Sequence, residues 1–217
     1  MELFDNIKVT YADKSDKDLN RAYFLFRIIS RPFFTKILTS ALQLAIRIHL
    51  PIKGIVKATI YKQFCGGTSI QASQSTVNNL WKSGIGTILN FSAEGKETLE
   101  DFTRTKQEII ATIQKANQSE NIPFAVFKPT AITSFSLLKK ITNKRTLNKQ
   151  ELEEKKEFES RINEICKTAA ELKVPLFIDA EESWIQGAID EMAMEMMQKF
   201  NGDKAWIFNT LQLYRND

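Results

Sequence analysis

Gly86-Thr-Ile-Leu-Asn-Phe91, Phe124-Ala-Val-Phe-Lys128, Pro175-Leu-Phe-Ile-Asp179 and Ala205-Trp-Ile-Phe-Asn209 decide the fold. Each is a short, nearly all-apolar run followed by polar residues. Runs of this length and composition read as strands buried on both faces. Between them lie stretches with apolar residues at helical spacing. These are 97–118, with Ile109, Ile110 and Ile113 facing inward; 134–141; 149–173, charged early and apolar late; and Met-rich 183–200, stopped by Asn201-Gly202. The order β-α-β-α-β-α-β predicts a parallel sheet. No Gly-x-Gly-x-x-Gly follows any strand and no P-loop pattern occurs, which disfavours nucleotide-binding folds. The predicted class is α/β, a (β/α)8 TIM-barrel type with about the first four β/α units present.

Upstream, the chain reads as helices. Asp16–Ile29 follows Ser15 as a cap, 33–49 follows Pro32, and 52–64 follows Pro51. After the Gly66-Gly67 break, 70–82 presents Val77, Leu80 and Trp81 as its apolar side. Two regions are therefore expected: helical 1–83, and 84–217 as the first half of a β/α barrel, ending after strand four. The length of 217 residues agrees, since a full barrel takes roughly 250 residues before any lead-in.

A composition of 43% hydrophobic and 26% charged residues excludes collagen and a disordered tail. The net charge of +4 comes from interspersed charges with no basic stripe, so nucleic acid is not an expected partner. A mild basic excess still suits contact with an anionic membrane surface. Cys65 and Cys166 are far apart and form no Cys-x-x-Cys, which fits a reducing compartment. With His49 as the sole histidine, no metal site is expected. His49 sits in the apolar run 44–52 and reads as a histidine on a packed helix rather than a triad base. The Met run 192–197 reads as core packing. The amino terminus, with Glu2, Asp5, Asp13 and Asp16, has neither a secretory-signal order nor transit-peptide composition. The apolar stretch 37–46, bounded by Lys36 and Arg47, is too short to span a bilayer.

Polar residues gather at the carboxyl ends of the strands: Asn90, Ser92 and Glu94; Lys128; Asp179, Glu181, Glu182 and Ser183; Asn209, Thr210, Gln212, Tyr214 and Arg215. Barrel enzymes build their active sites at this end, from several strands at once. Lys128 before Pro129 also fits a solvated loop lysine, and Asp179 or Ser183 also fits a cap for the next helix. Asp179 and Glu181 alternate and so point the same way. Paired carboxylates call for a cation, a proton or a hydrogen-bonding ligand, and Lys128 on the neighbouring strand is a ready partner. Glu182 reads as solvent-facing.

Five motifs in order carry a family resemblance: Phe64-Cys-Gly-Gly67, Thr87-Ile-Leu-Asn-Phe-Ser-Ala-Glu-Gly-Lys96, Val126-Phe-Lys-Pro-Thr130, Pro175-Leu-Phe-Ile-Asp-Ala-Glu-Glu-Ser-Trp184 and Phe208-Asn-Thr-Leu-Gln-Leu-Tyr-Arg215. Together they resemble the proline dehydrogenases. The resemblance implies a distorted barrel that binds FAD. It implies oxidation of L-proline to 1-pyrroline-5-carboxylate by hydride transfer to the flavin, with electrons passed to a membrane quinone. Lys128 and Asp179 match the proline-pocket lysine and aspartate. Thr210 and Gln212 occupy the motif that contacts the flavin, and Glu94 matches an acidic residue at the pocket mouth. The implied location is cytoplasmic and peripheral to the inner membrane, mitochondrial in a eukaryote.

Asn90-Phe91 stands where the family usually has Asp-Tyr, and Thr68 where it has Glu. The family's basic strand-five motif and the paired arginines of its last helix have no counterpart in the sequence. The expectation is an amino-terminal piece with little or no turnover by itself. The alternatives are a barrel aldolase or lyase using Lys128 as a Schiff-base amine, and a non-catalytic half-barrel that assembles with another chain.

Overall fold

The computed structural model describes residues 6–91 and 98–215. The chain divides into two compact units, Met1–Ser83 and Gly84–Asp217.

The first unit is helical: α1 (Ile7–Thr10), α2 (Asp16–Ile29), α3 (Pro32–Arg47), α4 (Lys53–Val56), a π-helical turn (Lys57–Tyr61), α5 (Lys62–Phe64) and α6 (Ile70–Trp81). Ser15 caps α2 by accepting from the Asp18 N–H, and Ser69 caps α6 by accepting from the Ala72 N–H. Pro32 takes the first position of α3, where its missing N–H costs nothing. α3 ends at Arg47, and His49 lies beyond it, exposed, with φ of 57°. The expectation of a packed helical histidine is therefore corrected: His49 sits in the turn that ends the helix. In α6, Val77 is buried but Trp81 is exposed.

The second unit carries β1 (Ile88–Leu89), α7 (Leu99–Asn117), β2 (Phe124–Phe127), a 3-10 turn (Pro129–Ala131), α8 (Phe135–Thr142), α9 (Lys149–Leu172), β3 (Leu176–Ile178), α10 (Ser183–Phe200) and β4 (Ile207–Asn209). The strands are all parallel, in the order β1-β2-β3-β4. A doubly wound sheet would reverse direction partway. An order that follows the sequence, with right-handed crossovers, puts every helix on one face. That is the wall of a (β/α)8-type barrel.

Burial follows from this arrangement. Ala125, Phe127, Leu176, Ile178 and Ile207 are buried, while the alternating Phe124, Val126, Phe177 and Phe208 are half-buried. The expectation of strands buried on both faces is corrected, because helices cover only one. The other face carries an aromatic floor: the Phe124 and Phe177 rings stack at 4.8 Å, and Phe177 meets Phe208 at 5.7 Å. β1 is shorter than its apolar run, having a partner strand on one side only.

The helix side holds the core, with Ile109 and Ile113 of α7, Phe158, Ile162, Ile165 and Cys166 of α9, and Ile185 and Ile189 of α10. Met192 and Met196 pack there, whereas Met194 is exposed, so only part of the Met run is core. Asn148 and Glu151 form a capping box on α9. α9 also ties down the loop after β2: Arg161 Nε donates to the Ile132 carbonyl at 2.9 Å, and Glu154 Oε1 accepts from the Ser134 N–H at 3.2 Å.

Candidate active site

The strand ladder continues past the formal strand ends. The Asp179 N–H donates to the Phe127 carbonyl at 3.0 Å, and the Thr210 N–H to the Ile178 carbonyl at 3.3 Å. In this register Phe127 pairs with Ile178 and Ile178 with Asn209. One step on, Lys128, Asp179 and Thr210 fall in a single row across three neighbouring strands. Alternation puts them on the same face as Val126, Phe177 and Phe208, opposite the helices. All three are half-buried.

Thr210 is the hub of the row. Its hydroxyl accepts from the Ala180 N–H at 2.6 Å and shares its proton between Asp179 Oδ1 at 3.3 Å and the Ile178 carbonyl at 3.4 Å. Asp179 therefore leans toward β4. Glu181 goes the other way, accepting from the Thr130 N–H at 2.9 Å and the Thr130 hydroxyl at 2.5 Å. The two carboxylates alternate as the sequence predicts, yet each takes its own threonine. Burial pushes the Glu181 carboxyl above its ordinary range, against the Thr130 bonds and the Lys128 charge, which pull it down. Glu182 is exposed at the N-cap of α10, whose cap has no side-chain bond, so neither Asp179 nor Ser183 serves as a cap.

Gln212 Nε2 donates to the Glu181 carbonyl at 2.7 Å, and its Oε1 is buried without a hydrogen-bond partner. Asn209, one residue before the row, faces the helices. Its Nδ2 donates to Asp190 Oδ1 at 2.9 Å, and that oxygen also accepts from Gln186 Nε2 at 2.7 Å. Gln186 Oε1 accepts from the Glu181 N–H at 2.8 Å. The relay Glu181–Gln186–Asp190–Asn209 thus fixes the loop after β3 to the end of β4.

Lys128, Asp179, Thr210 and Gln212 are brought to one end of the sheet, while Glu94 lies outside the described residues. Thr130, Gln186 and Asp190 were not singled out from the sequence. Gln186 had a readable signal: a polar residue among Ile185, Ala188 and Ile189, all buried. No cluster of His, Cys, Asp and Glu among the described residues could hold a metal ion.

A separate cleft of about 950 Å³ lies within the helical unit, lined by Asp18, Arg21, Tyr23, Phe26 and Lys62 among others. The Ser15 hydroxyl and then Arg21, 2.8 Å away, hold Asp18 at about 2. A carboxylate so fixed in its charged form acts as a structural ion-pair partner, not as a proton carrier.

The family model for proline dehydrogenase matches residues 73–217. Proline dehydrogenase 1, mitochondrial, of Arabidopsis thaliana is 30% identical over 206 residues, covering 76% of this chain and 41% of that protein. The probable proline dehydrogenase, mitochondrial, of Schizosaccharomyces pombe is 26% identical, covering 89% of this chain and 49% of that one. The carbapenem antibiotics biosynthesis protein CarD of Pectobacterium carotovorum subsp. carotovorum is 29% identical, covering 71% and 41%. The chain thus spans less than half the length of these relatives. A crystal structure of proline utilization A from Bdellovibrio bacteriovorus, inactivated by N-propargylglycine, superposes with a TM-score of 0.59. That match is 15% identical and covers 96% of this chain and 23% of that one, a likeness of fold. With residues 73–217 matched by its model, the chain belongs to the proline dehydrogenase family.

Proposed function

We propose that this chain carries the proline-facing and flavin-facing row of an FAD-dependent proline dehydrogenase. The enzyme would oxidise L-proline to 1-pyrroline-5-carboxylate and pass electrons to a membrane quinone. The observation that carries the reading is the alignment of Lys128, Asp179 and Thr210 on the helix-free face, at the carboxyl ends of three adjacent strands.

Neighbouring strands lie about 4.8 Å apart, so Lys128 and Asp179 stand close enough for their opposite charges to stabilise each other. The Asp179 carboxylate suits a secondary amine. It can accept a hydrogen bond from the ring nitrogen and orient the C5–N bond that is oxidised. Thr210 holds that carboxylate in place from the β4 side. FAD, when bound, would supply the acceptor for the hydride leaving C5. Gln212 fits such a group, because its buried Oε1 lacks a donor and a flavin ring offers an N–H. Thr210 already spends its hydroxyl on Ala180 and Asp179, so Gln212 is favoured for the flavin contact and Thr210 for orienting Asp179.

The test is Asp179→Ala in the natively expressed protein, assayed by proline-dependent dye reduction. Loss of turnover with retained yellow flavin absorbance is expected. Turnover equal to wild type overturns the assignment.

A further inference from the structure

Each backbone N–H of the segment Asp179–Glu181 is held by a different element. The Asp179 N–H donates to the Phe127 carbonyl of β2 at 3.0 Å. The Ala180 N–H donates to the Thr210 hydroxyl, just after β4, at 2.6 Å. The Glu181 N–H donates to Gln186 Oε1 of α10 at 2.8 Å. Gln186 is only 2% exposed. Its amide has a donor end and an acceptor end of nearly equal size, so its neighbours decide which end points where. Asp190, one turn further along α10, decides it. A carboxylate accepts and does not donate. Its Oδ1 takes Gln186 Nε2 at 2.7 Å, which leaves Oε1 for Glu181. The same oxygen is tied to β4 by Asn209 Nδ2 at 2.9 Å. The turn that carries Gln186 is fixed as well. From α8, Thr142 Oγ1 donates to the Ile185 carbonyl and accepts from the Ala188 N–H, both at 3.0 Å. Gly187 permits this approach, since a Cβ there would stand 3.1 Å from Thr142 Cγ2.

We propose that Gln186 is a positioning residue for the proline pocket. It acts through the Glu181 N–H, and holds the segment after β3 so that the Asp179 carboxylate keeps its place on the helix-free face. Asp190 acts through Gln186 by orienting its amide, and Thr142 by fixing the turn beneath it. This role rests on the reading of Asp179 as the group that meets proline.

Two readouts on the natively expressed protein test it. Amide hydrogen exchange at Asp179 and Ala180, which bond elsewhere, needs no turnover. Gln186→Met keeps the side-chain length and removes both hydrogen-bonding ends. It should speed exchange at both amides by roughly tenfold, the equivalent of one hydrogen bond, and leave Ile165 in α9 unchanged. In proline-dependent dye reduction it should raise KM and lower kcat/KM by about 10- to 100-fold, with flavin absorbance kept. Gln186→Glu sets a carboxylate against Asp190 and should behave like Gln186→Met. Adding Asp190→Asn restores a donor opposite an acceptor and should return both readouts toward wild type, a rescue that a packing lesion would not show. Thr142→Val, which leaves Gln186 in place, should speed the same two amides to a smaller extent. Wild-type exchange in both Gln186→Met and Thr142→Val overturns the proposal. So does a Gln186→Glu, Asp190→Asn pair no better than Gln186→Glu, or an unchanged KM beside faster exchange. Absence of turnover in wild type would overturn the reading of Asp179, while exchange would still decide whether Gln186 holds the segment.

Discussion

The Glu181–Thr130 bridge joins the loop after β3 to the loop after β2, on the opposite side of Asp179 from its Thr210 bond. Two bonds make it, at 2.9 and 2.5 Å, both to one half-buried carboxylate. Hydrogen bonds to a charged group are worth about 1.5–3 kcal/mol each. Against them stands the lost hydration of the carboxylate, which is the larger effect, since Glu181 is raised above its reference value of 4.5. Glu181→Ala loses both bonds and leaves the Thr130 N–H without a partner, but also removes the larger desolvation cost, so a destabilisation of only ~1 kcal/mol is expected. Thr130→Val removes only the hydroxyl bond, for ~1–2 kcal/mol. In a double-mutant cycle read by urea unfolding, the two should couple by ~1–2 kcal/mol. The pH dependence adds a sign. A carboxyl whose folded value is raised contributes stability that is full below the unfolded value and is lost as pH rises through the folded one. Stability measured against Glu181→Gln, a neutral isostere that keeps one acceptor, should therefore decline for wild type as pH rises above 4.5. Coupling under ~0.5 kcal/mol, or a wild-type advantage that grows with pH, would refute the bridge as the link between these loops.

Asn201 stops α10 and straps it to β4: its Oδ1 accepts from the Trp206 and Ile207 N–H groups at 2.9 Å each, and its Nδ2 donates to the Ile207 carbonyl at 2.8 Å. Asn201→Ala should cost ~2–3 kcal/mol in urea unfolding, and Asn201→Asp less, because two of the three bonds survive. Cys65 is exposed, whereas burial pushes the Cys166 thiol up to about 12. A thiol reagent should label Cys65 alone in the folded protein and both cysteines in denaturant. The same shift means that stability falls between pH 9, the reference value, and about 12, where the unfolded thiol ionises first.

Much of the fold is legible because its signals are local. Ser15 as a cap and Asn201-Gly202 as a stop delimit α2 and α10; the Ser15 side chain makes the expected capping bond, whereas Asn201 ends α10 in an extended conformation and bonds forward to Trp206 and Ile207. The carboxyl-end row is legible through strand parity: Lys128 and Asp179 directly follow their apolar runs, and Thr210 follows its run after Asn209. Contacts between distant loops are harder to read. Thr130 and Glu181 are 51 residues apart, and nothing near either names the other. An all-apolar strand such as Phe124–Phe127 does not say which face the helices cover, because handedness of the crossovers decides that. Net charge concealed the acid-free stretch around α3, from Leu19 to Phe91, since the rest of the chain carries five more acidic than basic residues.

The half-covered face sets what surrounds the row of Lys128, Asp179 and Thr210. Val126, Phe177 and Phe208 form one row of the sheet, and Lys128, Asp179 and Thr210 the next, two residues or about 6.6 Å farther along. The charged row thus stands on an aromatic floor rather than in bulk water. Such a floor lowers the local dielectric, which strengthens the electrostatic interactions that the row makes. A fully polar floor would leave the Asp179 carboxylate more hydrated. A floor covered by helices, like the opposite face, would bury the row altogether. Consecutive strand order meets both needs at once. It sends all helices to one side and leaves the other, with its phenylalanines and its polar rim, as the interior of a barrel wall.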